Sequence, residues 1–319
     1  MLPFVNMSSD KENEYFSDGI TEDLITALSQ VSRLHVAART SSFACKGKNE
    51  TIENSGQQRH VGGVLEGSVA TAGNQVRITA QLVHTADGYH RWSAHYDRDL
   101  KAIFAIRSEV VQTVAEALLV TVGAGERQII EHQPTEDLEA YPLYLKGRRA
   151  AATFNDFTTA AHYLQQAIAR DPGFALAYSG MAYYYWGAVE WLMPGSEALP
   201  RMRKAAEKAP LRDPSLAEAH TWLGVVHWQF DRDYAAAERE LQTAIKRQPE
   251  LASAHWNYGW SLAGAGRFEE GIAGSYRAVE LDPLAVDANI VQGINRYLAQ
   301  RYAEAIHQLR IAVSVDPDH

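Results

Sequence analysis

Twelve histidines, a single cysteine and several paired acids are the residues of this chain that could do chemistry. A shared metal ion needs ligands converging from one face. His90 and His95 are an odd number of residues apart in an alternating segment, so they point to opposite faces of a strand. His220, His227 and His255 fall at helical packing positions. Cys45, in "FACKGK", has Lys46 and Lys48 beside it to lower a thiol pKa. It has no positioned base, so it reads as a reduced thiol in a loop. A lone cysteine also excludes an intrachain disulfide and a Cys-rich zinc site. Glu22/Asp23 and Glu269/Glu270 read as solvated helix faces rather than acid–base pairs. "TEDL", at 21–24 and again at 135–138, reads as a helix start capped by threonine. The chain carries no Gly-x-Ser-x-Gly, no phosphate loop and no His-Glu-x-x-His. The expectation is a non-enzyme with no catalytic residue, no metal and no cofactor.

The bulk properties agree with a folded, soluble-type chain. With 319 residues, 46% hydrophobic and 22% charged, it is long enough for two domains that each bury a core. The formal net charge of −9 is spread over both halves, with 12 Lys+Arg against 17 Asp+Glu in residues 1–136 and 18 against 22 in 137–319. No basic region stands ready for phosphate, so direct nucleic-acid binding is not expected. No run of about 18 apolar residues occurs, and no membrane span is expected. The opening "MLPFVNMSSDKENEYF" lacks the pattern of a signal peptide and starts inside what reads as a strand, as a fragment would.

The elements that position these residues are set by two periods. From residue 138 onward the period is 34. Pro249, Pro283 and Pro317 are spaced by it, as are Gly259 and Gly293, and Ala244, Ala278 and Ala312. Gly224 to Gly259 is 35, one residue more, within "QFDRDYAAAE". Small residues let two helices cross closely, and proline ends the second helix of each unit. "ASAHWNYGWSLAGAGRFEEGIAGSYRAVELDP" closely resembles the tetratricopeptide repeat (TPR) family, a helix–turn–helix unit stacked into a superhelix. The resemblance implies about five units, at 138–172, 173–216, 217–251, 252–285 and 286–319. Their structural positions are Gly180, Gly224, Gly259 and Gly293, with Pro172, Pro214, Pro249, Pro283 and Pro317. In the second unit "VEWLMPGSEA" is expected to lengthen the turn between helices, and Pro210 to kink or stop the second helix early. The array ends at "VDPDH" without a polar capping helix, which reads as truncation or an end that packs on another chain.

Residues 1–122 follow a period of two. "NQVRITAQLVH" and "GYHRWSAHYDRDL" alternate as half-buried strands, and with "VGGVLEGSVATAG" make a three-stranded meander. A helix ("DGITEDLITALSQ"), a strand ("LHVAA") and a helix from about Ile103 to Val120 complete an α+β domain, a mixed sheet with packed helices, while "LPFVNM" supplies the end of a first strand. The string running from "LPFVNMSSDKENEYFSDGITEDLITALSQ" through "VLEGSV", "VRITAQLV" and "DGYHRWS" is similar to the TolB-like (FlgO-like) amino-terminal domain. That domain precedes TPR arrays in bacterial signalling proteins, behind an adenylate cyclase or a winged-helix DNA-binding module; neither module can be located here. Residues 123–137 are expected to be a connector. The fold expected is thus an α+β domain followed by an all-α TPR superhelix, an α-solenoid.

The TPR resemblance also implies a groove, formed by the first helix of each unit. Its expected lining is Tyr184, Tyr185, Trp228, Trp256, Trp260, Ile290, Ile294 and Tyr297. The lysine–asparagine clamp that some family members use for a carboxylate is missing, so the groove suits an apolar peptide or helix face. The alternative is permanent cover by the first domain or another subunit. Mutating Trp256 and Trp260 to alanine separates these: unchanged stability marks a groove, a large loss marks core. The expected role is protein–protein interaction or scaffolding in bacterial signalling, with a protein or peptide partner or with self-association. The alternative is a regulatory, sensor fragment of a cyclase or transcriptional regulator. The bacterial cytoplasm is the expected location, or the soluble part of an inner-membrane protein on either side.

Overall fold

The computed structural model describes residues 1–47, 51–59, 61–152 and 157–317. The chain forms two compact units, Met1–Leu138 and Glu139–His319. The first is α+β and the second is an α-solenoid.

The first unit holds a four-stranded sheet in the order β1 (Val5–Asn6), β2 (Gly63–Ala72), β3 (Gln75–His84), β4 (His90–Asp99). β1 pairs parallel to β2, with Val5 opposite Ser68; β2–β3 and β3–β4 are antiparallel. The helices are α1 (Glu14–Leu28), α2 (Arg39–Phe43), α3 (Ile52–Arg59), α4 (Ile103–Ala117) and α5 (Ala124–Glu131). The alternation of "VRITA" places Val76, Ile78, Ala80 and Leu82 in the core, each at most 3% exposed. Their opposite neighbours make polar pairs across the other face, Arg77 with Asp97 and Gln81 with Glu66.

Three local expectations are corrected here. "LHVAA" (34–38) is not a strand: β1 and β3 already take both sides of β2, and an extended segment with no ladder partner remains a loop. The first "TEDL" does not start a helix but lies inside α1. Thr21 there is fully buried, donating to the Ser17 carbonyl (2.8 Å) and accepting the Phe4 amide (2.9 Å). Glu22 and Asp23, read as solvated, are 5% and 8% exposed, and Glu22 is ion-paired with Arg39. Charge on a buried helix face persists only when paired in this way. The segment 123–137 carries α5, whose Ile130 is 1% exposed; Arg107 and Ser108 of α4 donate to its carbonyl.

In the second unit the described helices follow in pairs: α6 (Ala140–Ala152) and α7 (Phe157–Arg170), α8 (Ala175–Trp191) and α9 (Gly195–Arg212), α10 (Ala217–Val226) and α11 (Tyr234–Arg247), α12 (Ala252–Gly264) and α13 (Phe268–Leu281), α14 (Val286–Leu298) and α15 (Tyr302–Val315). The crossing of α12 on α13 is so close that a Cβ at Gly259 would sit 2.5 Å from the Ser275 nitrogen and 2.6 Å from the Gly271 carbonyl. The extra residues of "VEWLMPGSEA" do not lengthen a turn. They extend α8 and α9 to 17 and 18 residues, with only 192–194 between them. Nor does Pro210 stop α9, which runs through Pro200 and Pro210 to Arg212. Five buried side chains (Ala198, Met202, Ala205, Ala206, Ala209) hold it against the lost backbone bonds. The single extra residue after Gly224 is absorbed in a π-helical turn, His227–Asp231, closed by Arg232 at φ 56°.

Candidate functional site: the aromatic face of the helical array

The aromatic residues on the first helices form one continuous ladder. Tyr183 and Trp186 of α8 meet Trp222 of α10 at ring distances of 5.4 and 5.9 Å. Trp186 also meets Trp256 of α12 at 5.9 Å, Trp256 meets Trp260 at 6.2 Å, and Trp260 meets Trp228 at 5.0 Å. All these pairs are tilted by 43–53°, the edge-weighted geometry that aromatic quadrupoles favour. Trp228 reaches Trp260 from the π turn, so the inserted residue decides where that indole lies.

The eight residues expected to line a groove differ in exposure. Tyr184, Tyr185, Trp228 and Trp256 are buried at 6–8%, whereas Trp260, Ile290 and Ile294 are half-buried and Tyr297 is 59% exposed. Trp256 packs on Ala278, Ala288 and Val291 as well as on Trp186 and Trp260. The array's own side chains therefore cover Trp256, and of the eight residues Trp260, Ile290, Ile294 and Tyr297 keep accessible surface.

The last three repeats are each fastened to the one before. His220 Nε2 lies 2.9 Å from the Pro214 carbonyl, His255 Nε2 2.8 Å from Pro249, and Asn289 Nδ2 2.9 Å from Pro283. One side-chain donor in each of these three repeats thus satisfies a carbonyl left open where the preceding helix ends. Sequence spacing placed the two histidines at a packing position but gave no sign of this bond. Asn295 donates to the Gly271 carbonyl and to Ser275 Oγ, both at 3.0 Å, and Ser275 also bonds Gln292. This polar seam between α13 and α14 was missed, because single polar residues inside a repeat look like surface.

His220 differs from His255 in its second nitrogen. Nδ1 faces Glu240 Oε2 at 2.7 Å, so both ring nitrogens meet acceptors, an arrangement that favours the imidazolium form. The Glu240 hydrogen bond raises the His220 pKa against burial and Arg247, and the same bond lowers that of Glu240 against burial, with His227 and Arg239 adding to the lowering. At His255, with no carboxylate on its ring, burial prevails and lowers the pKa. A raised histidine pKa stabilises fully below the unfolded value, about 6.5, and the contribution fades as pH rises through the folded value. The lowered carboxylate acts above its unfolded value, about 4.3, and fades as pH falls through its own folded value. His220→Asn is expected to cost about 1 kcal/mol near pH 5.5 and measurably less at pH 8.5. Urea melts of both proteins at the two pH values check this; a pH-independent difference contradicts it.

In the first unit a cavity of about 450 Å³ is lined by Leu2, Phe4, Asn6, Lys11, Glu14, Cys45, Lys46 and Ser55 among others. Lys46 is already paired with Glu14 and Asp18, and the Cys45 thiol donates to the Ser42 carbonyl at 3.0 Å. Among the described residues no cluster of three metal-ligating side chains occurs, and no helix is long and apolar enough to cross a membrane.

The tetratricopeptide-repeat family profile matches residues 230–286. A putative adenylate cyclase 3 of Rhizobium meliloti is 45% identical over 184 residues, 57% of this chain and 31% of that protein. The transcriptional regulator HilA of Salmonella typhimurium is 22% identical over 301 residues, 92% of this chain and 52% of the regulator. The chain thus spans a third to a half of the length of these relatives. Among solved structures, MamA aligns with TM-score 0.36 at 18% identity, over 53% of this chain and 94% of MamA. YrrB, described as a TPR protein with an unusual peptide-binding site, aligns with TM-score 0.35 at 22% identity, over 62% and 94%. The similarity to the tetratricopeptide repeat is thus located at residues 230–286.

Proposed function

We propose that this chain is a non-enzymatic interaction module of bacterial signalling, whose helical array takes an apolar peptide or helix of a protein partner. The observation that carries this reading is the partly accessible apolar set Trp260, Ile290, Ile294 and Tyr297 on first helices, with Trp260 packed on the buried aromatic ladder. A preorganised apolar face with aromatic anchors is what a partner helix or extended peptide uses. The TolB-like resemblance of the first unit supports a sensor, spacer or dimerisation role for it.

A second reading is favoured by the 45% identity to part of a cyclase. In it the chain is the regulatory portion of an adenylate cyclase or a transcriptional regulator, and the array relays partner binding to an output domain. The two readings share the groove and differ in what is attached to it. An in-frame cyclase or winged-helix domain in the adjoining genomic sequence decides for the second. The bacterial cytoplasm suits both.

The groove is tested by panning a displayed peptide library against the full chain. Enriched peptides are expected to be apolar, and to bind Ile290→Ser/Tyr297→Ala at least about tenfold more weakly while its melting temperature stays close to wild type. Equal binding to that variant would remove the groove from consideration.

A further inference from the structure

The two edges of the sheet are built differently. β1 is two residues long, and the outward amide of Phe4 beside it is already taken by Thr21. β4 is ten residues long, has β3 as its one neighbouring strand among the described residues, and contains neither lysine nor proline. His90, Arg91, Ser93, His95, Asp97 and Arg98 along it are exposed. A long strand with one bonded side presents a row of open N–H and C=O groups, and proteins ordinarily blunt such an edge. The irregularity at its start, between Leu82 and Val83 in the β3 register, disturbs pairing at Arg91 but leaves Trp92–Asp99 regular.

The charges on β4 are arranged as their own complement. In an antiparallel pair the side chains of one strand meet those of the other directly across the ladder. If two β4 strands meet about a two-fold axis at Ala94, the long side chain of Arg91, one residue outside the regular stretch, lies next to Asp97 of the second copy, and Asp97 next to its Arg91. Ser93 then lies opposite His95, and half-buried Trp92 beside Tyr96. Centring the axis on His95 instead sets the two His95 rings against each other, leaves Ser93 opposite Asp97, and puts Arg91 opposite Asp99, whose carboxylate is already held by Gln75 and Lys101. Arg91 is 53% and Asp97 45% exposed at the side chain. Asp97 keeps Arg77 as a neighbour on its own sheet, 2.6 Å away, without closing off its outer side.

We infer that β4 is an interface between two copies of this chain, pairing antiparallel about Ala94 to join the two sheets into one eight-stranded sheet. The occupant is a second copy because the matching charges, one of each sign at mirrored positions, satisfy each other twice only in a self-pair. A heterologous strand would need no such symmetry.

The test uses the full chain and two single variants, Arg91→Asp and Asp97→Arg, in sedimentation velocity over a dilution series. Wild type is expected to associate reversibly to twice the chain mass. Each variant alone sets like charges opposite each other twice and is expected to weaken association by about tenfold or more. Mixed in equal amounts, the two variants regain complementary charges and are expected to associate as wild type does. That recovery also shows that both are folded. An Ala94→Cys variant is expected to cross-link to itself under mild oxidation. A wild-type monomer at the highest soluble concentration, single variants that dimerise unchanged, or a mixture that stays monomeric would each overturn the inference. A monomer that takes up a strand of another protein would do so too.

Discussion

Trp256→Ala is expected to remove about 3–5 kcal/mol of stability, the cost of emptying a large aromatic site in a packed core. The indole is 6% exposed and closes on Ala278, Ala288 and Val291, none of which can grow to fill the space. It also carries the contact to Trp186, so its removal leaves a ring on α8 without its neighbour. Half-buried Trp260 has less to lose, and Trp260→Ala is expected to cost clearly less than Trp256→Ala. Equilibrium urea unfolding of both variants, followed by far-ultraviolet circular dichroism, makes the comparison. Equal and small losses would return Trp256 to the accessible face.

Gly259→Ala is the second large effect, about 3 kcal/mol, or roughly 6–12 °C in melting temperature. The added Cβ would lie 2.5 and 2.6 Å from backbone atoms of α13, and backbone cannot rotate away. Gly271 and Gly274 face the same crossing, so α12 and α13 would have to separate along its whole length. Gly224→Ala supplies an internal comparison. Its Cβ would meet the Leu241 side chain at 2.7 Å, which another rotamer relieves, and a smaller loss is expected. Should the two substitutions prove equally mild by thermal melting, the close crossing of α12 and α13 is not as described.

Much of the array was legible because its markers are steric. A glycine is needed where helices touch, and a proline is tolerated where one ends, so Gly259, Gly293, Pro249 and Pro283 announce the period without reference to context. The ten extra residues of the second repeat were legible as extra and misplaced. Whether an insertion lengthens a turn or two helices depends on what buries the added residues, and here Ala198 and Met202 of α9 are fully covered. The ladder was half legible. Trp256 and Trp260 stood out by spacing, but Trp186, three residues before the inserted segment, did not, and its partner is two repeats away. In the first unit the alternation of β3 gave the buried face directly. "LHVAA" failed because a strand is a relation between two segments, and the "TEDL" of α1 failed because a capping motif and a buried polar helix turn use the same residues.

The contact between Trp186 and Trp256 bears on how the array comes apart. A linear stack loses its repeats from the ends inward, each released when a single interface gives way. A tie from the second repeat to the fourth, passing the third, turns that stretch into a closed loop of dependencies. The third repeat then cannot melt while its neighbours stay whole, and freeing either neighbour first means breaking the tie. Native-state hydrogen exchange in this stretch would report one opening free energy shared by α8, α10 and α12 rather than a gradient along them.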